Sequence, residues 1–105
     1  MLLLFACAPE TPKPAPDMLS QAQMSDILAD MHLADAIISM KAGSTDSLRQ
    51  AGVNMREYIY TRHHTNHQQF TESFEFYKQN PVLMDSVYGE VITKLSSKES
   101  QYRGQ

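Results

Sequence analysis

A single cysteine, Cys7, stands in the 105 residues. One thiol excludes an intrachain disulfide framework and any multi-cysteine zinc or iron–sulfur site. Long apolar runs are missing too, and none approaches the roughly 20 residues of a membrane-spanning helix. Basic charge is scarce. The 9 Lys and Arg stand against 12 Asp and Glu, a net charge of −3, and no basic run supplies the footprint of a nucleic-acid binder. No nucleic-acid partner is therefore expected. The nucleophile elbow, the phosphate-cradling loop and the dinucleotide fingerprint are all absent, as is a paired-carboxylate motif, so neither an enzymatic activity nor a cofactor is expected. What is present, 42% hydrophobic and 20% charged residues, has the balance of a folded protein, and the length suits one domain.

The chain opens Met1-Leu2-Leu3-Leu4-Phe5-Ala6-Cys7 and turns polar at once. Its apolar run is shorter than the roughly 7–15 residues of a secretory signal, and the basic segment is missing, as if the true start lay upstream. Leu4-Phe5-Ala6-Cys7 nevertheless resembles a bacterial lipoprotein box, although Phe5 is bulkier than usual. That resemblance implies cleavage before Cys7 and acylation of its sulfur and new amino group. The alternative is an apolar N-terminus tucked into the core, with Cys7 inert. Pro9, Pro12, Pro14 and Pro16 follow immediately. Each lacks an N–H and fixes φ, so the stretch should be extended, with residues 8–18 reaching ~35 Å at about 3.1 Å each. The expected organisation is a truncated signal segment (1–6), an acylated cysteine with a Pro-rich tether (7–18), a helical domain (19–96) and a polar, fraying tail (97–105).

Four amphipathic segments follow. Ser20 and Gln23 have the spacing of a capping box, with Leu19 and Met24 placed as a hydrophobic staple. They predict a helix running to about Met40, with Gly43 as a stop and Met24, Ile27, Leu28, Met31, Ala34 and Ile38 as its stripe. Leu33, Ile37 and Met40 line the opposite side, so this helix is either central or presents a patch to a partner. The second segment, about Asp46 to His64, carries Leu48, Met55, Tyr58 and Ile59. Gly52 weakens its middle, and Asn54 to Glu57 offers a restart. Thr65 to Gln68 is a further capping box, opening a helix with Phe70, Phe74 and Tyr77 on one stripe. Asn80, as N-cap, and Pro81 then end that helix and begin the next. Met84, Val87, Tyr88, Val91 and Leu95 form the last stripe. No strand-like alternation occurs. The reading is an all-α bundle of three long helices, the third split at Asn80-Pro81 with its halves meeting at an angle.

Polar residues give three candidate features. His63, His64 and His67 cluster, and the first and last are four apart, as zinc ligands on one helix face would be. The Thr65 box places a turn between them, so the cluster reads as a polar corner, with a metal- or ligand-binding site as the alternative. Asp26 and Asp30 read as solvated. Asp35 falls in the middle of the apolar stripe, with His32 a turn behind at its edge, and Arg62 falls on the stripe of the second segment. Burying either charge alone is costly, so His32, Asp35 and Arg62 form a candidate polar site. In it Asp35 pairs with Arg62, or else accepts from His32 or from a tyrosine such as Tyr58 or Tyr88. Tyr60 and Phe76, off their main stripes, would enlarge an exposed patch.

The stretch Met24-Ser25-Asp26-Ile27-Leu28-Ala29-Asp30-Met31-His32-Leu33-Ala34-Asp35-Ala36, together with Phe70, Ser73, Tyr77, Asn80-Pro81, Tyr88, Val91 and Leu95, resembles a family of small Bacteroidetes-type lipoproteins with a domain of unknown function. The likeness spans most of the chain from Leu19 to Leu95 and implies an exported, lipid-anchored, all-helical domain with no implied activity. The expectation is a non-enzymatic interaction or accessory module of the bacterial envelope. A lipid on Cys7 would hold it at the outer membrane, facing the periplasm, where it would meet a protein partner. The competing expectation is a metal- or ligand-binding periplasmic protein that uses His63, His64 and His67.

Overall fold

A computed structural model describes residues 17–103, with side chains through Gln101. Cys7, the expected signal segment and most of the expected tether lie outside the described residues. The described residues form four helices and no strand: α1 (Gln21–Ser39), α2 (Thr45–Arg62), α3 (His67–Lys78) and α4 (Pro81–Arg103). The helical class expected from the sequence holds, but the count is four separate helices and not three long ones.

The start of α1 follows the sequence signal closely. The Ser20 hydroxyl accepts from the Gln23 N–H at 3.1 Å, and the Gln23 side chain accepts from the Ser20 N–H at 2.9 Å. Leu19 and Met24 are both buried beside this cap. The helix ends at Ser39, with Met40 still right-handed, and Gly43 has no left-handed geometry, so it does not act as the stop.

The second helix runs unbroken through Gly52. Its N-cap is Ser44, whose side chain accepts from the Ser47 N–H, so no restart occurs at Asn54. At the corner that follows, His64 takes φ 56°, and the Thr65 N–H returns to the Tyr60 carbonyl. The Thr65 N–H is thereby spent on closing α2, and its hydroxyl donates to the Gln69 side chain at 2.6 Å. The capping role falls one residue later, on Asn66, which accepts from the Gln69 N–H at 2.8 Å.

Only Gln79 and Asn80 separate α3 from α4. Pro81 takes the first position of α4, where a missing N–H costs nothing. The Asn80 carbonyl accepts from the Met84 N–H as an N-cap carbonyl should, but the Asn80 amide turns back and donates to the Phe76 carbonyl. The side chain closes the outgoing helix. The tail expected to fray after Ser96 is helical through Arg103.

α1 packs against all three other helices. The side chain of Asp30 meets that of His63, just past the end of α2, while Ile37 shares a groove with Met55, so α2 returns antiparallel. Ser25, Asp26 and Asp30 meet Glu90, Lys94 and Lys98 in rising order, so α4 runs parallel to α1. The core gathers Met24, Ile27, Leu28 and Met31 of α1 with Tyr60, Phe70, Tyr77, Val87 and Val91.

The chain entering α1 is held by α3. The Gln69 amide donates to the Asp17 carbonyl at 2.6 Å, the Leu19 N–H donates to the Ser73 hydroxyl at 3.0 Å, and the Tyr77 hydroxyl donates to the Leu19 carbonyl at 2.7 Å. The three side chains recur every fourth residue and so form one row on α3. Ser73 and Tyr77 are completely buried, and burial pushes the Tyr77 phenol up from its ordinary pKa.

Candidate functional site

Three depressions border α1. The first, of about 370 Å³, lies where α1, α4 and the end of α2 meet. Asp26 pairs with Lys94. One carboxylate oxygen of Asp30 accepts from Lys98 at 2.9 Å, and the other meets His63 Nε2 at 2.7 Å. Burial raises the pKa of Asp30, but the hydrogen bonds and charges of Lys98 and His63 outweigh it and hold the carboxyl below its ordinary value. Next to this row the Ser25 hydroxyl, fully buried, donates at 2.8 Å to Glu90. The charges here are largely spent on each other and tie three helices together.

Asp26 is exposed, as its place off the main stripe suggested, although it pairs with Lys94, whereas Asp30 is half-buried and is not the solvated residue expected. A signal for them existed. Asp26 and Asp30 are four apart, as are Glu90, Lys94 and Lys98, so two straight rows of polar groups could register on adjacent helices. What the sequence does not show is that α1 and α4 are neighbours.

The second depression, of about 340 Å³, lies across the α1–α2 seam from the third and is bounded by all four helices. Its floor is Leu28, Met31, Tyr60 and Phe70, all buried. Aromatic rings line it in sequence: Tyr60 lies 5.5 Å from Phe70, Phe70 stacks at 5.9 Å on Phe74, and His32 meets Tyr88 edge-on at 6.5 Å. His32, Asp35, Arg56 and His67 stand exposed on its rim. Burial pushes the Tyr60 phenol up, an effect that the nearby Arg56 guanidinium partly opposes.

The third depression, about 140 Å³, is a groove between α1 and α2 lined by Leu33, Ala34, Ile37, Met55, Tyr58 and Ile59, with Asp30 and Arg62 at one end. Ile37 is 45% exposed and Tyr58 59%, and Met40, just past α1, and Val53 of α2 are also exposed.

The proposed Asp35–Arg62 pair is not formed. His32 and Asp35 share the aromatic depression, whereas Arg62 lines the other two. The buried stripe of α1 passes through Met31 and Ala34, and Asp35 lies about 100° around the helix from Ala34, on the flank of the covered face. It is exposed and needs no buried counter-ion.

The histidines disperse as well. His63 turns to Asp30, His64 sits exposed at the left-handed corner, and the ring of His67 lies 6.1 Å from that of Tyr60. Among the described residues no three His, Cys, Asp or Glu side chains gather to hold a metal ion. Tyr60 is buried and Phe76 half-buried, so neither extends an exposed patch. Tyr60 is covered because α3 folds back over the last turn of α2. Among the described residues no helix is long and apolar enough to cross a membrane.

No curated protein and no solved structure matches the chain. A family model does match, across residues 16–101, which takes in all of α1, α2 and α3 and most of α4. The chain belongs to the family described as Domain of unknown function (DUF4296).

Proposed function

We propose that this protein is a lipid-anchored, non-enzymatic interaction module of the bacterial envelope, held by acylated Cys7 at the outer membrane and facing the periplasm. The single observation that carries the interaction reading is the α1–α2 groove, where Ile37 and Tyr58 remain exposed beside an apolar floor. Exposed apolar side chains grouped around a cleft favour a protein contact over solvent. The groove is sized for one large apolar side chain of a protein partner, and Met55 supplies an adaptable wall. The mutual pairing of Asp26, Asp30, Lys94 and Lys98 favours a structural use of those charges over catalysis. Anchoring rests on Leu4-Phe5-Ala6-Cys7 and the proline-rich stretch after it.

The test uses the full chain, with its upstream coding region, in a lipoprotein-processing bacterium. Cys7 should incorporate labelled fatty acid and send the protein into detergent, and Cys7→Ser should abolish both. Photo-crosslinkers placed at Ile37 and at Tyr58 should capture one and the same protein, and Ile37→Glu should erase the adduct formed from Tyr58. A crosslinker at Ile92, an exposed residue of α4, should not form that adduct. Equal partitioning of wild type and Cys7→Ser would overturn the anchor. Identical adducts from Ile37, Tyr58 and Ile92 would overturn the groove.

A further inference from the structure

We infer that the aromatic depression is a binding site for a small zwitterion with an apolar side chain, the chemistry of a large hydrophobic α-amino acid. It is a different surface from the groove assigned to a protein partner, and the inference does not depend on that assignment. Three features of the depression meet the three parts of such a ligand.

The floor is apolar and largely preformed. Leu28, Met31, Tyr60 and Phe70 are buried by the fold itself, and Phe74 and Tyr88 stand half-buried at its sides. At about 340 Å³ the space falls in the lower part of the range for small-molecule sites, which run from about 300 to 1,000 Å³. An aliphatic or aromatic side chain placed there would be covered by rings on several sides.

The rim carries one full charge of each sign. Asp35 comes from α1 and Arg56 from α2, both exposed, and no ion pair joins them. This sets the depression apart from the Asp26–Lys94 and Asp30–Lys98 junction, whose opposite charges have already neutralised each other. Opposed charges left apart over an apolar floor complement a molecule whose own charges are held apart in the same way. Arg56, part of whose guanidinium hydrogen-bonds the Tyr60 phenol, keeps further N–H donors of its planar fork for a carboxylate, and Asp35 accepts from an ammonium. A simple apolar carboxylate would leave Asp35 facing a like charge, and a simple amine would leave Arg56 in the same position.

The test is an NMR titration of the full chain with three probes: L-phenylalanine, its amide, which lacks the carboxylate, and its N-acetyl derivative, which lacks the ammonium. Phenylalanine should shift the ring resonances of Phe74 and Tyr88 and bind about tenfold more tightly than either derivative, the scale of one charge-assisted contact. In Asp35→Asn the advantage of phenylalanine over the N-acetyl derivative should vanish while its advantage over the amide persists. Arg56→Gln should give the converse. Both residues are exposed, so folding should survive either change, and circular dichroism checks that it does. Glycine, which has both charges and no side chain, should not bind measurably. Three outcomes would overturn the assignment: ring resonances that stay put up to the solubility limit of phenylalanine, equal binding of all three probes, or variants that weaken all three alike.

Discussion

Leu19 shows how much can rest on one residue's backbone. Its N–H and its carbonyl are both satisfied by side chains more than fifty positions away, Ser73 and Tyr77, and both of those side chains are buried. Leaving a buried polar group unpaired costs about 1–3 kcal/mol. Ser73→Ala strands the Leu19 N–H and Tyr77→Phe strands its carbonyl, so each should lower stability by about that amount in urea unfolding. Because both act on one residue, the double variant should lose less than the two single losses combined. Asp30 gives a pH-dependent counterpart. Its folded pKa lies below the unfolded value, so the stability it adds is complete above the ordinary carboxylate range and is lost as pH falls through the folded pKa. In acid melts below about pH 5 the wild type should lose stability faster than Asp30→Asn, and the two curves should converge at the most acidic end. Neither arrangement was legible in the sequence. Ser73 is a small polar residue on an otherwise ordinary helix, and Asp30 lies on a face that a helical wheel leaves to solvent.

Local rules served well wherever the partner was also local. The Ser20–Gln23 box, the start of α4 at Pro81 and the apolar stripes of α1, α3 and α4 are relations within one turn or one helix, and they appear in the fold, whereas on α2 Tyr58 of the expected stripe is exposed and Tyr60 is buried instead. Gly52 and Thr65 show where such rules reach their limit. A glycine in a helix is unfavourable by about 1 kcal/mol relative to alanine, yet the rest of α2 carries the helix through it. A side chain placed at Gly52 would meet no neighbour within 4 Å. Gly52→Ala should therefore raise the stability of α2 by up to about 1 kcal/mol, visible as a higher melting temperature. If a break existed there, the same change would have little effect or would destabilise. Thr65 has the right residue type for a cap but is claimed by the closing turn of α2, so the neighbouring Asn66 takes the role.

At the scale of the molecule the main surprise is the parallel pairing of the first and last helices. Sequence periodicity said which face of each was apolar but not which faces meet, so Asp35 and Arg62 were matched while the pairs that form are Asp26–Lys94 and Asp30–Lys98. Residues beyond Ser96, which read as a polar tail, supply one of those partners. Ending the chain after Ser96 removes Lys98 and leaves Asp30 with His63 alone. The shortened protein should melt at a lower temperature, and the deficit should shrink at high salt, since these ion pairs are partly exposed and screening weakens them. A melting temperature equal to that of the full chain would show the last turns of α4 to be dispensable. The aromatic depression and the α1–α2 groove escaped the sequence for the same reason. His32 and Asp35 could be placed at one edge of α1, but that Arg56 faces them from α2 depends on how the helices cross.

The hold that α3 keeps on Leu19 also fixes a path for force. Any tension on the chain ahead of Asp17 arrives first at the Gln69, Ser73 and Tyr77 contacts, and from α3 it passes through the short Gln79–Asn80 joint into α4. The first turn of α1, with its cap already made by Ser20 and Gln23, lies behind that fastening and is shielded from the pull. If the proposed lipid on Cys7 holds the leading end, the body is gripped at mid-chain, and a tug from that side reaches α3 before it can peel α1 open.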